Sequence, residues 1–317
     1  MFEHESATRR TVLKGAGAAA AATLVPMGVS AAESEWTAVE SPTGNTLHDV
    51  ADTAAGAYAV GGGGVALRRT ATGWEKVFDG GPTGNGNNLY GADVTDDGKR
   101  LWVVGSSGAI GEYDVETGVL VDRSAPNDVT NNFNDVSVTG EAGSANVYIA
   151  GDSGKIYSSF ENGVEGSWDA TTPGSGSAIQ AIDFFGPRSG HAIDGNQSVF
   201  VTDDGGTYDK IGIADADVSL YGLDSDAFDD IWIAGGNGTV FEYVDTQWVS
   251  ASTNDTQLQD IVVSNGSGIT VGGGGGVYVY DGESWEPSAT PVGDNLKAVI
   301  QGSVDIAVGA GGTILER

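Results

Sequence analysis

The sequence predicts an all-β fold: a seven-bladed β-propeller in which the N-terminal strand completes the C-terminal blade. Three observations predict it. Glycine is abundant and evenly spread, 51 of 317 residues against 8 prolines, which marks many tight turns between short strands rather than a collagen or a linker. A G-x-x-G turn recurs at Gly61–Gly64, Gly105–Gly108, Gly151–Gly154, Gly235–Gly238, Gly272–Gly275 and Gly309–Gly312. A seventh copy, Asp194–Gln197, keeps the register through its flanks Ala192-Ile193 and Val199-Phe200. The turns are 37 to 46 residues apart, the period of a unit of four short strands.

The chain begins with an address. Thr8–Lys14 reads TRRTVLK, and Arg9 and Arg10 precede a weakly apolar, small-residue run from Gly15 to Val29 and a small-residue cleavage site at Ser30-Ala31-Ala32. This resembles a twin-arginine export signal. The run is shorter than the roughly 20 residues of a membrane span. Residues 1–32 are therefore read as a cleaved signal and 33–317 as the propeller. The expected location is extracellular or in the cell envelope, without membrane insertion after cleavage.

Each unit opens with an inner strand whose first residue is Leu47, Leu89, Phe133, Ile179, Leu220, Leu258 or Leu296, with an apolar residue three later: Val50, Ala92, Val136, Ile182, Leu223, Ile261 or Val299. A second strand runs into the glycine turn, whose glycines are expected to supply positive φ. A third strand follows, rich in β-formers such as Ile156-Tyr157, Val240-Phe241 and Val277-Tyr278. Trp74, Trp168, Trp248 or Trp285 opens a fourth, and these indoles are expected in the seams between blades. The last unit ends at Arg317 without a fourth strand. SEWTAVESPTGNTL at the start of the mature chain matches ESWEPSATPVGDNL at 283–296, with Trp and Leu 11 apart in both. Glu35 to about Val39 should thus supply the missing strand, which pairs an otherwise open edge and leads us to expect a monomer.

The formal charge is −30, from 44 Asp and Glu against 14 Lys and Arg. Such a surface repels nucleic acid and anionic membranes. Because the acid is scattered and Lys is scarce throughout, the pattern resembles proteins of halophilic archaea and is read as salt adaptation. The absence of cysteine excludes disulfides and thiol chemistry. After the signal only His48 and His191 remain, in different units, so no metal or other cofactor is expected. The vicinal acids Asp96-Asp97, Asp203-Asp204 and Asp229-Asp230 read as turn caps. Thr202–Tyr208, TDDGGTY, is similar to an Asp-box one residue short, a structural hairpin motif. The six arginines that follow the signal, Arg68, Arg69, Arg100, Arg123, Arg188 and Arg317, share no position across units.

The repeat L-x-x-h-x-h … h-A/V-G-x-x-G-x-h (h apolar) with its following Trp resembles the seven-bladed propellers of photosystem II stability/assembly factors and their BNR/Asp-box relatives. GGVYVYDGESW at 275–285 also resembles sensor-type extracytoplasmic propellers. WD40 and Kelch patterns match less well. The resemblance implies a non-catalytic scaffold that holds a protein partner. A glycan- or polymer-binding module at the cell surface is the second reading. A sialidase-like hydrolase is the third, and needs three converging arginines.

One column varies where its neighbours read as small or apolar. The residue after each inner-strand Leu equivalent is His48, Tyr90, Asn134, Gln180, Tyr221, Gln259 or Lys297. Strand periodicity leaves open whether these face the central channel or the adjacent blade. They are the candidate binding ring, with the loops 79–88 and 122–132 as accessory contacts.

Overall fold

Hydrophobic runs of four to eight residues between glycine turns pair locally, each with the next. The computed structural model describes residues 35–317 apart from 214, 215 and 256, so the export signal expected at 1–32, including Arg9 and Arg10, lies outside the described residues. Blade 1 consists of Leu47–Thr53, Gly56–Gly61, Val65–Thr70 and Gly73–Phe78, paired antiparallel in chain order. Blades 2 to 6, spanning 89–122, 133–171, 179–212, 220–252 and 258–288, repeat this order. Leu296–Ile300, Ile306–Gly309 and Ile314–Glu316 form the inner part of blade 7, and Thr37–Ala38 is its outer strand. The innermost strands touch in cyclic order and the first touches the last, so the ring is closed.

Closure follows the expected register. Thr37 pairs with Glu316 and Ala38 with Leu315, and the Val39 N–H donates to the Ile314 carbonyl at 3.1 Å. Trp36 is buried with Val262 and Val271 of blade 6 and Leu315 of blade 7. The other repeat tryptophans also sit in seams: Trp74 against blade 7, Trp168 against Trp102 of blade 2, Trp248 against blade 4 and Trp285 against Trp232 of blade 5. Each buried indole removes ~150–250 Å² from water, an upper-bound gain of roughly 4–6 kcal/mol.

The turns correct one expectation. Of the two glycines that define the motif only the last has positive φ, +70° at Gly64 and +73° at Gly108, and the residue before it is left-handed too, as at Gly63 and Ser107. The first is extended, with φ −173° at Gly61 and −175° at Gly105. It is glycine because a Cβ there would land on the carbonyl oxygen that precedes the inner strand, that of Thr46 or Asn88.

Carboxylates, buried except for the half-buried Asp183, tie six of the seven blade interfaces. The column two beyond the Leu is not uniformly small or apolar, because it carries Asp49, Asp135 and Asp260; blades 2, 4 and 5 instead carry Asp93, Asp183 and Asp224 two residues further on. Each accepts a backbone N–H from the inner strand of the next blade: Asp49 from Ala92 at 2.7 Å, Asp93 from Val138 at 2.6 Å, Asp135 from Ile182 at 3.0 Å, Asp183 from Ser225 at 2.8 Å, Asp224 from Val263 at 3.0 Å and Asp260 from Val299 at 2.9 Å. Charge-assisted bonds of this kind are the stronger class. Blade 7 has Ala298 and Ile300 in these columns. Its link to blade 1 lies further out, where Glu316 accepts two bonds from Arg69 at 2.9 Å and one from the Trp74 indole at 2.8 Å.

Candidate functional site: the channel mouth

The ladder geometry settles which way the variable column points. In every blade the Leu equivalent pairs with the first turn residue, and the residue two later pairs with its neighbour, as Leu47 with Gly61 and Asp49 with Val60. The residue between is the extra member of a β-bulge in all seven blades. A bulge re-aims one side chain away from the pleat. The bulged residues are His48, Tyr90, Asn134, Gln180, Tyr221, Gln259 and Lys297, and all seven line a single cavity of about 130 Å³ at the channel mouth. All are half-buried. Asp49, Asp135 and Asp260 form part of its wall, already engaged by the backbone.

Neighbouring members hold one another. The His48 and Tyr90 rings meet edge to face at 5.1 Å. Lys297 Nζ donates to Gln259 Oε1 at 2.8 Å, and Asn134 Nδ2 donates to the Ile179 carbonyl of the next blade at 2.8 Å and to Asp152 at 2.9 Å. Burial, and then the charge of Lys297, hold the His48 pKa below its usual value, so this imidazole is neutral at neutral pH. The ring thus offers one cation, two phenols and three carboxamides.

The surrounding face is interlocked. Asn88, Asn132 and Asn295 each precede an inner strand, and each accepts an N–H from the glycine turn of the blade before, at Gly63, Ser107 and Gly274. The two long loops lie on this face as well. Gly80 and Gly81 donate to Gly63 and Gly64, and Ala125 to Gly108. The loops are therefore bonded platforms rather than loose arms.

The remaining candidates fall elsewhere. Asp204 accepts the Gly206 and Thr207 N–H groups at 2.8 and 2.7 Å and the Thr207 hydroxyl, which hold its carboxyl well below the usual range; TDDGGTY is a hairpin brace, as expected. None of the six arginines lines the channel cavity. Arg68 pairs with Glu75, Arg69 with Glu316, Arg100 with Asp114, Arg123 with Glu112 and Arg317 with Asp305, and Arg188 lies 3.7 Å over Phe160. Among the described residues no group of three or more His, Asp and Glu is arranged to hold a metal, and no helix is long and apolar enough to cross a membrane.

Fold and ladder together define the class, a seven-bladed β-propeller with a polar channel mouth. The chain is similar in fold to YCF48 bound to D1 peptide, at 14% identity and a TM-score of 0.70 over 90% of this chain and 97% of that one. It is also similar to YCF48 from Cyanidioschyzon merolae, at 18% and 0.68 over 89% and 98%, and to virginiamycin B lyase from Staphylococcus aureus, at 11% and 0.76 over 89% and 98%. At such identities the likeness is one of fold, shared by a peptide binder and a lyase alike. No family model and no curated protein sequence matches the chain.

Proposed function

We propose that this protein is a non-catalytic interaction scaffold, exported by the twin-arginine route and adapted to high salt, that grips a protein partner at the face carrying the channel mouth. The observation that carries this reading is the seven-fold bulge. It brings seven side chains of five kinds to one rim, on a platform whose turns are bonded blade to blade. Diversity at equivalent positions of an otherwise repetitive frame is what recognition requires, and a rigid frame lowers the ordering cost of binding. One fold neighbour is bound to a peptide, which agrees with this use of the architecture. The polymer-binding reading keeps one observation in its favour: Tyr90 and Tyr221 are half-buried and face the cavity, where a sugar ring could stack.

The test is affinity capture in molar salt from the envelope of the producing cells. Wild type is compared with a Tyr90→Ala, Tyr221→Ala, Lys297→Ala triple variant checked for an unchanged Tm. A partner retained by wild type and lost by the variant supports the scaffold. Recovery of the protein alone, or equal retention by both, contradicts it.

A further inference from the structure

Three blades carry a Glu at one equivalent place in the third strand: Glu112 in blade 2, Glu242 in blade 5 and Glu316 in blade 7. In two of them a guanidinium occupies the space beside it. Arg123 lies 2.8 Å and Arg100 3.8 Å from Glu112, and Arg69 of the following blade lies 2.9 Å from Glu316. Blade 5 copies blade 2 closely, since Trp232 pairs across the strands with Glu242 as Trp102 does with Glu112. Three substitutions set it apart. Where blade 2 has Arg123, two residues beyond the partner of its Glu, blade 5 has Ala251. Where blade 2 has Arg100, five residues before its turn, blade 5 has Asp230. Where blade 1 offers Arg69 to Glu316, blade 6 offers Tyr280 to Glu242.

The guanidinium is therefore missing, and a cavity of about 220 Å³ lies in its place, lined by Asp230, Glu242, Trp232, Tyr280, Val263 and Asn265 among others. Cavities of ~150 Å³ admit a benzene. The Trp232 and Tyr280 rings are 5.1 Å apart and form an aromatic wall. Asp230 accepts the Trp232 indole N–H at 3.3 Å, and no ion pair reaches Asp230 or Glu242 among the described residues. Partial burial and then the charge of Asp230 raise the Glu242 carboxyl above its ordinary value, and partial burial and then the charge of Asp229 raise that of Asp230, against the lowering bond from Trp232. We propose that this cavity between blades 5 and 6 binds a guanidinium group, held by Glu242 and Asp230 and stacked on Trp232 and Tyr280. Planar donors match carboxylates in two bonds and stack on aromatic faces, which favours guanidinium over ammonium. The proposal is independent of the channel mouth and of any partner there.

The test is calorimetric titration of the whole mature protein with N-acetyl-arginine amide, its citrulline analogue, and a pentapeptide with one central arginine, at low and molar salt. The expected result is saturable binding of the arginine probes, at least tenfold tighter than citrulline, weaker in molar salt, and reduced tenfold or more by Glu242→Gln. Asp230→Asn, at the exposed mouth, serves as a second variant if Glu242→Gln does not fold. Tyr280→Arg supplies an internal guanidinium at the position of Arg69, and should abolish binding and raise Tm. Equal binding of amide and peptide identifies a small guanidine as the source, and at least tenfold preference for the peptide identifies a partner's arginine. Arginine and citrulline binding alike, no binding of either arginine probe, or full affinity in both carboxylate variants would overturn the proposal.

Discussion

Removing one carboxylate between two blades should cost more than its size suggests. Asp49 is 5% exposed, and its two oxygens accept the N–H of Val50 at 2.8 Å and of Ala92 in blade 2 at 2.7 Å. Asp49→Ala leaves both donors short of a partner in the inner ring. Each buried unsatisfied N–H costs ~1–3 kcal/mol, so the loss is about 2–6 kcal/mol if neither is rescued. The channel cavity beside Asp49 is polar enough to admit water to one of them, which lowers the figure to about 1–3 kcal/mol. For a chain of this size, with an unfolding entropy of about 0.6 kcal/mol/K, that corresponds to a fall in Tm of roughly 2–5 °C. The assay is thermal and urea unfolding at two salt concentrations. The loss should persist in molar salt, because a buried bond is poorly screened. The exposed Arg68–Glu75 pair should by contrast contribute almost nothing there. A combination of Asp49→Ala with Asp224→Ala, which ties blades 5 and 6, should be close to additive. A loss below about 0.5 kcal/mol for Asp49→Ala would refute the reasoning.

Deleting residues 35–40 removes Trp36 and the outer strand of blade 7, and should lower stability by about 4 kcal/mol or more; an unchanged Tm would refute ring closure by this segment. Burial, then Asp183 and Asp230, push the Asp226 carboxyl up to about 8. The fold therefore holds a proton that the unfolded chain has lost, and stability falls as pH rises from about 4 to about 8. Asp226→Asn should stabilise by about 2 kcal/mol at pH 8, allowing for solvent screening, and by nothing near pH 4; equal Tm values for variant and wild type at pH 8 would contradict this. Arg9→Lys with Arg10→Lys should leave the precursor inside the cell, read by fractionation; undiminished export would remove the twin-arginine assignment.

The fold was legible because its signal is repeated. Seven turns in one register identify the blade, and the match of Trp36 with Trp285 identifies the closing strand, although either copy alone would be an ordinary hairpin. Orientation of the candidate ring was not legible. Alternation fixes faces only where the ladder is regular, and His48 and its equivalents occupy bulges that exist only once the second strand is paired. The interblade carboxylates were hidden by a change of column: Asp49 lies two residues after its Leu and Asp93 four, so no single column reads as acidic. Glu242 was hidden for a different reason. It is defined by what is absent beside it, and the comparison needs Glu112 and Glu316 seen with their arginines in place.

The most direct test of the scaffold account is hydrogen exchange on the protein with its captured partner. Protection should appear at the turn face, in the first residues of the inner strands from 47, 89, 220 and 296 and in the loops 79–88 and 122–132. Protection confined to the opposite-face hairpins or to the outer strands, with the rim around Tyr90, Tyr221 and Lys297 exchanging as in the free protein, would contradict it.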